Sequence, residues 1–258
     1  MELSLNPDIA KAYKSPSQKI RVLTEHWLAT NAYCPTCGTS LVKTRNNSRV
    51  LDFVCGSCDM TFELKSKRGP LGLKLVDGAY DAMLNAIQHN RQPNFFFLSY
   101  DNHFLVHNLA LLSRRFIVQD VVEKRRPLSA TARRAGWTGC NLLLSNLPKE
   151  GMIYYVKNGV VYRKESVFTA WRDSAFLDAV NLASRSWTIA IMNCVERLHM
   201  KTFTLHEMYN FVPELQTRFP NNKHIKPKIR QQLQLLRDEG WLTFLEEGVY
   251  SLKTRGAQ

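Results

Sequence analysis

The stretch VLDFVCGSCDMTFELKSK, residues 50–67, places two acids and a lysine around a Cys-x-x-Cys pair. Its apolar residues Val50, Leu51, Phe53 and Val54 precede the cysteines, and Thr61, Phe62 and Leu64 follow them. That pattern reads as strand, knuckle, strand. Asp52, then ten residues, then Glu63-Leu64-Lys65 gives the spacing D-x10-E-x-K. On a strand, residues two apart share a face, so Glu63 and Lys65 point together while Leu64 turns toward the core. If the two strands pair as a hairpin, Asp52 reaches the same site as Glu63. Two carboxylates that close repel unless a cation joins them, and a hard divalent ion such as Mg²⁺ suits them. An acid and a Glu-x-Lys also arise by chance on exposed strands, so the context must decide.

Upstream, YCPTCGTS supplies a second turn with Cys34 and Cys37, which lie 17 intervening residues before Cys55 and Cys58. Four thiolates on two short turns have the spacing of a structural four-cysteine zinc site, whose four protein ligands leave no open position for catalysis. Cys140 and Cys194 stand alone and read as small apolar fillers.

Length and charge narrow the class. The 258 residues are 45% hydrophobic and 22% charged, enough to bury a core in one large domain or two modest ones. No apolar run of ~18 residues appears and no basic leader precedes an apolar core, so a membrane partner is not expected and a cytoplasmic location is. The net charge of +13 favours polyanion partners. Between Arg114 and Arg134 there are seven Lys or Arg against two acids.

Along the chain, SPSQKIRVLTEHWLA forms a helix that Ser15 or Ser17 could cap, with Ile20, Leu23, Trp27 and Leu28 as its apolar face. Glu25 lies on its polar side, a candidate outer acid of the metal site. GAYDAMLNAIQH is helical, PNFFFLSYD is a buried strand, FLVHNLALL another, and YYVKNGVVY a hairpin about Asn-Gly. RRPLSATARRAGWTGCN reads as a long functional loop. Its Arg133, Arg134 and Trp137 can clamp phosphate, read guanine, or stack on a base and contact a methyl group.

From residue 183 the rhythm changes to three helices, SWTIAIMNCVERL, FTLHEMYNFVPELQ and NKHIKPKIRQQLQLLRDEG, then two short strands about a Glu-Glu-Gly turn. That is the order of a winged helix. Lys223, His224, Lys226, Lys228, Arg230 and Gln231 crowd the start of the third helix, where recognition helices approach base edges.

Taken together, LDFVCGSCDMTFELKSK, YCPTCG, PNFFFLSY, TARRAGWTGCN and IKPKIRQQLQLLRD resemble the DpnI family of methyl-directed restriction endonucleases, over nearly the whole chain. The resemblance implies an α/β PD-(D/E)xK nuclease core with an inserted four-cysteine zinc ribbon over 1–182 and a winged helix over 183–258. It also implies Mg²⁺-dependent hydrolysis of double-stranded DNA at GATC carrying N6-methyladenine. Asp52, Glu63 and Lys65 become the catalytic set, Asp52, Glu63 and Leu64 the magnesium site, and Cys34, Cys37, Cys55 and Cys58 the zinc site. Leu51 departs from the proline of the motif's name. Two rivals stay open: a non-enzymatic methyl-DNA-binding regulator, and a structure-specific repair nuclease of the same core. The sequence leaves the oligomeric state open, a monomer included.

Overall fold

A computed structural model describes residues 1–44 and 51–253. Val50, counted above in the first strand, lies outside the described residues, as does the end of the C-terminal module after Lys253.

The first long helix, α1 (Pro16–Asn31), has proline in its first turn and Ser15 at the N-cap. The cap differs from expectation: the Ser15 hydroxyl makes no bond to the helix backbone and meets Ser17 Oγ at 2.9 Å instead. Leu23, Trp27 and Leu28 are buried as the periodicity requires. Then follow β1 (Leu41–Lys43), β2 (Phe53–Cys55) and β3 (Thr61–Arg68), paired antiparallel with Leu41 opposite Cys55 and Phe53 opposite Phe62. Next come β4 (Lys74–Ala79), α2 (Tyr80–Gln88), β5 (Asn94–Tyr100) and β6 (Val106–Leu112), then β7 (Val122–Lys124), β8 (Gly139–Leu143), β9 (Met152–Lys157), β10 (Val160–Val161) and α3 (Lys164–Asp173).

Seven of these strands form one mixed sheet in the order β1-β2-β3-β5-β6-β9-β10, with β3 and β5 parallel. β5 is buried at every position, and its alternation divides the core. Phe96 and Leu98 join α1, Trp171 of α3 and the inner side of the zinc turns, while Phe95 and Phe97 face the opposite cluster. The hairpin β9–β10 turns through Asn158 and Gly159, both left-handed (φ 51° and 78°), as an Asn-Gly turn of this twist demands. A second sheet, β4-β8-β7, covers the Phe95 side.

The C-terminal part contains α4 (Leu182–Arg197), β11 (Thr202–Thr204), α5 (Leu205–Tyr209), α6 (Val212–Arg218), α7 (Ile225–Asp238), β12 (Leu242–Glu246) and β13 (Val249–Leu252). The expected second helix is two: α5 ends at Tyr209, and Pro213 opens α6, where its missing N–H is harmless. A capping box between Thr204 and Glu207 starts α5. β11 joins β13 and β12 in a three-stranded sheet, so the wing has a strand that the pattern did not reveal.

One apolar cluster runs without a break from Phe95 and Phe97 through Ile189 and Ile191 of α4 to Leu233 and Trp241. Polar bonds reinforce this junction. Asn193 Nδ2 donates to the carbonyls of Ser145 and Leu147 (3.2 and 3.1 Å), Trp241 Nε1 donates to Glu150 (2.9 Å), and Glu196 accepts the Lys149 amide (2.9 Å).

Candidate active site and DNA interface

The zinc turns clasp the ends of the β2–β3 hairpin. Gly38 closes the first turn at φ 77°, and its amide donates to the Cys34 carbonyl at 2.9 Å. Asp59 closes the second in the same left-handed region, at φ 54°, with its amide on the Cys55 carbonyl. The Cys34–Cys58, Cys37–Cys55 and Cys37–Cys58 sulfurs lie 3.5, 3.4 and 3.8 Å apart. A tetrahedron of ~2.3 Å Zn–S bonds would separate them by about 3.8 Å, so this donor set fits zinc. The Thr39 hydroxyl and backbone amide push the Cys37 thiol down to about 6, while burial pushes the Cys34 and Cys58 thiols up in the absence of a bound ion. Among the described residues, this is the group of three or more ligands whose donor atoms all fall within 4.8 Å.

Beyond the clasp, Glu63 and Lys65 emerge from the same face of β3, opposite Phe95 and Phe97 of β5. Lys65 Nζ bonds Glu63 Oε1, and lies 5.7 Å from the centre of the Phe95 ring. It also meets Asp77 Oδ1 of β4 at 2.6 Å. Burial pushes the Glu63 carboxyl up; Lys65 opposes that, while Asp77 and Asp52 add to it. For Lys65 burial acts downward, yet Glu63 and Asp77 outweigh it and the ammonium is held above its usual range. Asp52 sits at the start of β2, and its Oδ2 accepts the Leu64 amide at 2.8 Å. Its charge is felt by Glu63 on one side and by Arg21 on the other. Two carboxylates share the one ammonium and a third, Asp52, acts on Glu63, so the cluster is short of positive charge.

Asp77 was missed in the sequence. Glu25 is buried, with its two oxygens on Arg21 (2.5 Å) and Lys43 (2.6 Å). It lines, with Asp52, Arg21 and Ser66, a cavity of about 520 Å³ beside α1.

The basic loop springs from β7 and β8, whose ends pair Lys124 with Cys140, and Cys140 stands opposite Asp77. The loop therefore starts next to the Glu63–Lys65–Asp77 cluster. Its backbone is closed by Leu128 N on Trp137 O and Gly136 N on Leu128 O (2.9 and 3.1 Å). Arg134 lies over the Trp137 ring at 4.8 Å, and the indole packs close to Gly139. A Cβ at Gly139 would come within 2.9 Å of that ring, so glycine is what leaves room for Trp137 there. Arg125, Arg126, Arg133 and Arg134 are exposed.

Residues 1–180 match the family model of the Dam-replacing family (DpnI), and residues 183–252 match that of the Dam-replacing HTH domain. The chain belongs to the Dam-replacing family. Membership supports a nuclease, and DNA binding by the helix-turn-helix part.

In this Dam-replacing family member, α7 is the helix with the concentration of cations. Ile225, Ile229, Leu233 and Leu236 bury one side, leaving Lys223, His224, Lys226, Arg230 and Gln231 exposed and Lys228 partly so. Tyr209 of α5, which the sequence did not single out, organises them. Its hydroxyl accepts from Arg230 Nε at 2.7 Å, and Lys226 lies 5.0 Å from the centre of its ring. Lys228 Nζ donates to Gln231 Oε1 at 2.8 Å. No described helix is long and apolar enough to cross a membrane.

Proposed function

We propose that this protein is a methyl-directed endonuclease that hydrolyses double-stranded DNA at GATC containing N6-methyladenine, with residues 1–182 as catalytic domain and 183–258 as winged-helix DNA-binding domain. The observation that carries the reading is the side-by-side placement of Glu63 and Lys65 on one face of β3, at the foot of a basic loop. A surface regulator has no use for a largely buried Glu–Lys–Asp cluster, since burying opposed charges costs desolvation energy.

Zinc on the four cysteines holds the hairpin end, and its part is structural. Hard oxygen donors suit Mg²⁺, which takes one or two carboxylates and keeps several waters. Asp52, Glu63 and the Leu64 carbonyl would hold it, and it would supply a polarised water and a counter-charge to the phosphate. The chain's own contribution is then electrostatic. Lys65 offsets negative charge as it gathers on the phosphate oxygens. Water attacks phosphorus in line as the bond to the 3′ oxygen breaks, leaving 5′-phosphate and 3′-hydroxyl ends. Trp137 offers an apolar ring for the adenine methyl group, while Arg133 and Arg134 hold the backbone or a guanine edge. Lys223, His224, Lys226, Lys228, Arg230 and Gln231 engage the duplex from α7.

Digestion of fully methylated and unmethylated plasmid with Mg²⁺ tests this directly. Fragments from the methylated plasmid alone are expected. Mobility shifts without fragments would make the protein a regulator, and nicking irrespective of methylation would make it a repair nuclease.

A further inference from the structure

We propose that Asp77 is the positioning residue for the Lys65 ammonium. The inference rests on the nuclease reading of Lys65. A lysine side chain has four rotatable bonds and a compact charge that no fork geometry orients. Something must therefore fix Nζ if it is to act at one phosphate oxygen. Two contacts do so, and they differ in kind. Glu63 reaches Lys65 from the same strand, and in the proposed function it also serves the metal. Asp77 comes from a separate sheet, at 2.6 Å, with a side chain only 8% exposed. Among the described residues its ion-pair partner is Lys65.

The backbone explains how Asp77 reaches across. Asp77 is still in register with β8, opposite Cys140, and two residues from the buried Leu75, so it shares Leu75's face of β4; the register is lost only beyond it, between Asp77 and Ala79. Immediately beyond, Tyr80 opens α2, and its amide donates to the Thr138 carbonyl at 3.1 Å. Asp77 thus stands where β4, α2 and the base of the Trp137 loop are bonded together. A carboxylate on so fixed a support sets the lysine's position relative to the loop that meets DNA. Removing it would leave Lys65 to swing with Glu63, and a displacement of ~1 Å at a reacting group can cost 10²-fold in rate.

The test compares the wild type, Lys65→Ala, Asp77→Ala and Asp77→Asn on a duplex containing methylated GATC. Single-turnover cleavage is measured with Mg²⁺, and duplex affinity with Ca²⁺ in its place. Both Asp77 variants should cut about 10²-fold more slowly at saturating DNA, with duplex affinity within about twofold of wild type. Adding Asp77→Ala to Lys65→Ala should cause no further loss. In the zinc-loaded protein without Mg²⁺, the Lys65 Nζ magnetic resonance signal, assigned by its loss in Lys65→Arg, should shift or broaden in Asp77→Asn. If Asp77→Ala lowers the melting temperature, the isosteric Asp77→Asn decides. Asp77→Asn cutting at the wild-type rate, or leaving the Lys65 signal unmoved, overturns the inference while the nuclease reading stands. A rate restored simply by more Mg²⁺ also overturns it, because Asp77 would then be a metal ligand. Undiminished cutting by Lys65→Ala would instead remove the nuclease assignment on which the inference rests.

Discussion

The charged groups around Lys65 and those on α7 are arranged in opposite ways. At the hairpin, the Lys65 ammonium meets Glu63 and Asp77 in a mostly buried pocket, and Asp52 is near enough to push Glu63 up further. On α7, cations stand out from a buried apolar stripe, and Tyr209 steadies two of them. The first arrangement places charge at a point, which suits bond breaking. The second releases counterions from a polyanion, which gives affinity and little chemistry. Cleavage and binding should therefore separate cleanly by mutation.

The harshest way to break that contrast is to strip zinc. Structural zinc contributes ~10 kcal/mol or more in isolated motifs near neutral pH, as much as a domain's whole stability. Chelation, or Cys55→Ser, should therefore abolish cleavage and collapse the melting transition, with the metal content falling from one zinc per chain. Next, Lys65→Ala should slow cleavage by about 10³-fold while leaving duplex affinity within about twofold. Pre-steady-state cleavage and a gel-shift titration measure the two separately. Lys226→Ala should do the reverse, reducing the salt slope of log affinity by about one and leaving the rate at saturating DNA unchanged.

The smallest effect lies at the junction between the two parts. Burial, followed by the nearby Glu150 carboxylate, pushes the Glu196 carboxyl up to about 8 from an ordinary 4.5. Because the folded state prefers its neutral form, stability is fully present below about 4.5 and declines as pH rises toward about 8. Glu196→Gln should flatten that decline, raising stability by on the order of 1 kcal/mol at pH 9 without altering cleavage at saturating DNA. Denaturant midpoints across pH would measure it.

Local signals made much of this legible. The D-x10-E-x-K spacing, the paired cysteines and the unbroken apolar run of β5 each depend on residues close in sequence. So does the basic first half of α7. Asp77 was not legible because β4 offers a single buried side chain, Leu75, to mark it as a strand. Its partner β8 arrives only after three further strands, a helix and the long loop. Tyr209 was hidden similarly, since its bond to Arg230 crosses from one helix to another. The division of the expected second helix turned on whether Pro213 would be read as an interior breaker or a first-turn residue, and both readings are sterically sound.

The unbroken apolar seam from β5 to Trp241 makes this molecule a poor source of interchangeable cassettes. A chimera that replaced α4 onward would have to supply an indole within reach of Glu150 and an amide for the Ser145 and Leu147 carbonyls. Changing how such a protein grips DNA is therefore better attempted by rewriting the outward residues of α7 than by transplanting the whole C-terminal part.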